Sequence, residues 1–224
     1  MKNSEIFGNM NSFEFSKIKK SSAYSESGES IVSTDDRIQA IKDFIGTNQM
    51  YLSKYKDMLD KYIRNLDISE NELEIKVVTK LPLVNTNDIE KLKKDFNGFL
   101  SDIIELDFSS LSNKDIIEIT LNEMIDDDTE ESISYFETTS LEDFLLGFNK
   151  VYSELKLFKS ELNRKRMDLI TYLDEISKID FGTEANINIA FKMLDLYKKG
   201  LNIFETYLIK FINLADACEE CLDD

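Results

Sequence analysis

From Ile38 to Leu66 the apolar residues Ile38, Ile41, Ile45, Leu52, Tyr55, Leu59, Tyr62 and Leu66 recur at alternating steps of three and four, with Asn48 filling one place. That spacing is a heptad seam with one polar interruption. It predicts a helix over 35–66, opened by Ser33-Thr34 and the acids Asp35 and Asp36. A second seam runs Leu141, Phe144, Phe148, Val151, Leu155, Phe158, Leu162, Lys165, Leu169, Tyr172, Ile176 and Ile179, behind the capping box Ser140-Leu-Glu-Asp143. It predicts a helix over about 140–179. After the breaker Asp180-Phe-Gly-Thr183, a third seam runs without a polar interruption from Ile187 to Leu222. Phe191, Met193, Tyr207, Ile212 and Leu214 flank it. A two-stranded coiled coil needs only its a and d positions, so this last helix is expected to pack against more than one neighbour.

Between the first two helices the period changes. Leu73, Ile75 and Val77 alternate with charged residues, which predicts a strand ending near Pro82. Ile89, Leu92, Phe96, Phe99, Ile103 and Leu106 predict a helix. Ile117, Ile119 and Leu121, then Ile133 and Tyr135, predict a β-hairpin across the acidic run Asp126 to Glu131. Residues 1–34 have no long period, and Ser21 to Ser33 read as a linker. Yet Ile6, Phe7, Phe13, Phe15 and Ile18 are an apolar set that a free tail has no use for. They are expected to dock on the bundle or on a neighbouring subunit.

The fold expected is mainly α, in the α+β class: a long three-helix antiparallel bundle or coiled-coil stalk with a small inserted β-α-β-β head. Residues 1–34 form an extended tail, 35–69 and 140–224 the stalk, and 70–139 the head. One Pro and seven Gly in 224 residues leave few breakers, which suits long helices.

Charge adds a direction. The net charge is −17, and residues 111–140 hold one basic against nine acidic residues, or −8. Such a field repels nucleic-acid phosphates and anionic lipid, so neither is expected as a direct partner. No stretch approaches the roughly 20 apolar residues of a membrane span, and residues 1–8 lack the apolar core of a signal peptide. A reducing, cytoplasmic setting is expected, or a virion for a phage-encoded chain.

Candidate chemistry is sparse. The chain has no histidine, which removes His-based triads and most zinc sites. Its glycines never form a phosphate loop. Cys218-Glu-Glu-Cys221 sits at the far end of a helix among acids. Both the helix dipole there and the acids oppose a reactive thiolate, so structural cysteine is the expectation. The run at 126–131 lacks the spacing of an EF-hand loop. No cofactor, metal site or catalytic residue is therefore assigned.

Arg164-Lys165-Arg166 is the only dense basic cluster, and Lys165 takes a seam position. It reads either as stems packed along the bundle or as a docking point for an acidic surface. The partner-binding candidates are Ile6, Phe7, Phe13, Phe15, Arg164, Lys165 and Arg166. Gly46, Gly98, Gly147 and Gly200 fall inside predicted helices and mark close crossings, kinks or tolerated positions. The leading functional expectation is a non-enzymatic structural or assembly subunit with protein partners, other copies of itself among them. The alternatives are an acidic inhibitor of a basic partner and, behind it, a carboxylate- or metal-dependent enzyme.

Overall fold

The computed structural model describes residues 33–67, 79–82, 94, 135–138 and 140–223. Three helices dominate: α1 (Thr34–Asn65), α2 (Leu141–Ser177) and α3 (Glu184–Asp223). At 1.5 Å per residue they are roughly 48, 56 and 60 Å long. The first two begin as the sequence predicts. Ser33 Oγ accepts from the Asp36 amide at 3.1 Å, and Ser140 Oγ accepts from the Asp143 amide at 3.1 Å. Thr183 Oγ1 does the same for Asn186 at the start of α3, at 3.2 Å.

Pairings between helices fix their directions. Phe44 meets Tyr197, Tyr55 meets Phe204 and Tyr62 meets Phe211, so α1 and α3 run parallel. Gln49 donates to Asp174, and Lys159 pairs with Asp60, so α2 runs antiparallel to α1. A six-residue connection, 178–183, returns the chain into α3. Arg37 fastens that end of the bundle. Its guanidinium donates to Glu184 at 2.5 Å and to Asn188 at 3.0 Å, and lies 5.4 Å from the Phe191 ring centroid.

The seams become the core. Ile41, Leu52, Leu59, Leu155, Leu162, Leu194, Phe204 and Leu208 are buried in one continuous cluster. The breadth of the α3 apolar face is accounted for by three neighbours, since α3 packs on α1, α2 and a strand. That strand is β1 (Thr79–Pro82), which pairs antiparallel with β2 (Tyr135–Thr138) in the register Thr79 to Thr138 and Pro82 to Tyr135. The two ends of the inserted segment are thus hydrogen-bonded to each other. They lie against α2 at Gly147, where an added Cβ would stand 2.7 Å from Leu81 Cδ1 and 2.9 Å from Phe136 Cζ. Gly147 therefore marks a close crossing. Gly46, by contrast, faces open space.

β1 ends at Pro82, where the sequence places the end of a strand, and the alternation at Leu73–Val77 lies outside the described residues. The predicted helix seam from Ile89 to Leu106, the predicted strand at Ile117–Leu121, the acidic run Asp126–Glu131 and the tail 1–32 lie outside the described residues. Among the described residues no helix is long and apolar enough to cross a membrane.

Candidate functional site

Polar side chains are concentrated inside the bundle at mid-height. Asn48, the interruption in the α1 seam, is buried. Its Nδ2 donates to the Phe44 carbonyl at 2.9 Å, and its Oδ1 accepts from the Tyr197 hydroxyl at 3.3 Å. Two turns on, the Tyr55 hydroxyl donates to Glu205 Oε1 at 2.7 Å. Tyr55 and Tyr197 are buried, and Glu205 is only 8% exposed. A polar chain of this kind has to be satisfied internally, because an unpaired buried group costs about 1–3 kcal/mol. These contacts run between α1 and α3, and they fix the axial position of one helix on the other.

The electrostatics follow from burial. Desolvation raises the Glu205 carboxyl above its ordinary value, and the hydrogen bond from Tyr55 opposes the rise. Burial, then the Glu205 charge, pushes the Tyr55 phenol well above the usual tyrosine range. Tyr197 is raised by the same two causes in the same order. Both phenols therefore stay protonated and act as donors, not as bases.

The basic cluster of α2 does not form one surface. Lys165 is 1% exposed, and its Nζ lies 3.9 Å from Asp168. Burial, then Arg164, lowers its pKa. Arg166 is also buried, donating to the Leu52 carbonyl at 3.4 Å and to Asn163 Oδ1 at 3.2 Å. Arg164 alone faces outward, paired with Glu161. On the α1–α2 seam, hydrogen bonds from Lys159 and then Lys56 hold the Asp60 carboxyl down at about 2.

At the far end of α3, the Cys218 thiol is buried, and burial pushes it up to about 12. Its position and its pKa both fit a structural cysteine. Among the described residues no three His, Cys, Asp or Glu side chains come together to hold a metal ion. The candidates Ile6, Phe7, Phe13 and Phe15 lie outside the described residues. Sequence patterning singled out Asn48 and Lys165 but passed over Glu205. That acid directly follows the seam residue Phe204 on the helix with the widest apolar face, which is the one signal that could have found it.

Outward, α2 shows a different surface. Leu146, Leu157 and Met167 are 73%, 53% and 49% exposed. At 100° per residue they share roughly a third of the helix circumference with Lys150, Ser153, Lys156, Ser160 and Arg164. No protein-family model matches the chain, and no curated protein or solved structure is significantly similar to it.

Proposed function

We propose that this chain is a non-enzymatic structural or assembly subunit of a larger protein complex, of the virion, secretion-machine or defence-complex kind. It acts through contacts of its helical bundle and its N-terminal segment. The observation that carries this reading is the row of bare apolar side chains on α2, Leu146, Leu157 and Met167. Single exposed hydrophobes are ordinary, and three that share one helix face support a contact there. Two further points support it. The buried polar groups Asn48, Tyr55, Tyr197 and Glu205 are engaged with one another or with backbone. And Ile6, Phe7, Phe13 and Phe15 form an apolar set that a free tail has no use for.

Replacing Phe7, Phe13 and Phe15 together by Ser tests the reading. The bundle should keep its helical circular dichroism and its urea midpoint, while the complex isolated from cells loses its companions. An unchanged complex would count against a subunit held by its tail.

A second reading has one observation in its favour, the charge of −17 with −8 over residues 111–140. An acidic inhibitor of a basic partner would bind with an affinity that falls steeply with salt. Salt-insensitive binding to every partner recovered would dismiss it.

A further inference from the structure

The outer face of α2 is unusual for this chain. Between residues 147 and 167 the sequence holds six basic residues, Lys150, Lys156, Lys159, Arg164, Lys165 and Arg166, against two acids, Glu154 and Glu161. In a protein of net charge −17, that is a local excess of +4. Lys165 and Arg166 are buried and Lys159 is paired with Asp60. Lys150, Lys156 and Arg164 are left on the surface, with Lys156 Nζ 4.0 Å over the Tyr152 ring. From residue 144 to residue 174 no acidic side chain of α2 is exposed: Glu161 is buried, and Glu154, Asp168 and Asp174 are partly covered. The exposed cations Lys150, Lys156 and Arg164 flank Leu146, Leu157 and Met167, and Arg164 pairs with Glu161. The strip from Leu146 to Met167 is roughly 30 Å long.

An apolar strip bordered by cations fits an acidic segment that carries apolar residues of its own. The same chain supplies one. Residues 111–140 combine their −8 charge with Ile116, Ile117, Ile119, Leu121, Met124, Ile125 and Ile133. We infer that the Leu146–Met167 face of α2 docks a second copy of this chain through that copy's acid-rich 111–140 stretch. The inference rests on the proposed assembly role and names one partner for it. The two surfaces differ, so the contact is heterologous. It propagates from copy to copy into a ring or a filament rather than closing as a two-fold dimer. Opposite charge speeds the encounter and sets the register, and the apolar row contributes the salt-insensitive part of the affinity.

The test is sedimentation velocity of the full chain over a range of concentrations, at low and at high salt. The wild type should grow with concentration at low salt and shrink at high salt. Two variants separate the two surfaces. Lys150→Ala/Lys156→Ala neutralises the face, and Asp126→Asn/Asp127→Asn/Asp128→Asn neutralises the acidic stretch. Each alone should weaken self-association at least about tenfold. Mixed, they should form a 1:1 complex that grows no further, because each retains the half that the other has lost. Leu146→Ser/Leu157→Ser changes only exposed positions and should weaken association with the helical signal intact. A wild type that stays monomeric at low salt overturns the inference, and so does a mixture that gains nothing over its parts. A purified monomer that nevertheless runs in a large particle in cell extract removes the self-pairing and leaves the assembly role standing. A monomer in both removes both.

Discussion

Replacing Tyr55 by Phe deletes one oxygen from the interior and leaves the ring in place beside Phe204. The hydroxyl it removes is the donor that Glu205 Oε1 accepts at 2.7 Å, and Glu205 is 8% exposed. The carboxylate is then stranded. Losing a hydrogen bond to a buried charged group costs about 1.5–3 kcal/mol, whereas losing both partners to apolar groups of similar shape is close to neutral. Tyr55→Phe should therefore destabilise by about 2 kcal/mol at neutral pH, a Tm drop of roughly 4–8 °C for a chain of this size. Tyr55→Phe/Glu205→Leu should lose much less than the sum of its parts, with a coupling of about 1–2 kcal/mol.

The pH dependence has a fixed sign. The folded pKa of Glu205 is raised, so the folded state binds its proton more tightly than the unfolded chain does. Its carboxylate is a liability that is fully present above the folded pKa. It disappears as pH falls below the unfolded value of 4.5. The cost of Tyr55→Phe should shrink in the same window. Urea denaturation followed by circular dichroism at several pH values measures both effects. A Tyr55→Phe cost that is the same at acid and neutral pH, and unaltered in the Glu205→Leu background, would refute a stranded carboxylate as its cause.

Gly147→Ala should lose about 1–2 kcal/mol, because overpacking against Leu81 and Phe136 outweighs the helix-propensity gain, while Gly46→Ala, facing open space, should gain about 0.5–1 kcal/mol by the same urea measurement. Asp60 has its folded pKa lowered to about 2 from 3.8, so its contribution is complete above pH 3.8 and fades as pH falls toward 2. Asp60→Asn should cost about 0.5–1 kcal/mol at neutral pH and nothing at the acid end, the size being that of a partly solvated pair. Cys218, with its thiol at about 12, should resist iodoacetamide at pH 8 until urea unfolds the bundle, as read by mass spectrometry of the labelled peptide.

Helices were the legible part of this chain. The seams of α1, α2 and α3 are long, and their caps at Ser33 and Ser140 use residue types with one strong local role. Their observed ends fall within four residues, about one turn, of the first and last seam positions. Direction was less legible. A heptad pattern states which face is buried but not against which neighbour, and only pairings such as Tyr55–Phe204 establish that α1 and α3 are parallel. The β1–β2 pairing was harder still. It joins residues more than fifty positions apart in the chain, and a four-residue strand carries too little alternation to name its partner. Of the site, Asn48 and Lys165 stood out because they break an apolar period. Glu205 did not, since an acid beside a seam is usually solvated, and only the three-sided packing of α3 buries it. The basic triplet at 164–166 looked like one patch in sequence. Helical geometry turns its members by 100° each, so two face inward and one outward.

The most direct test of the assembly role is the mass of the native particle containing this chain, measured by size-exclusion chromatography with light scattering on gently lysed cells and with the companion chains identified. An assembly subunit should run in a particle well above the 26.0 kDa of one chain, in which the 26.0 kDa subunit recurs or is joined by defined partners. A lone 26.0 kDa species at native concentration and low salt would contradict it.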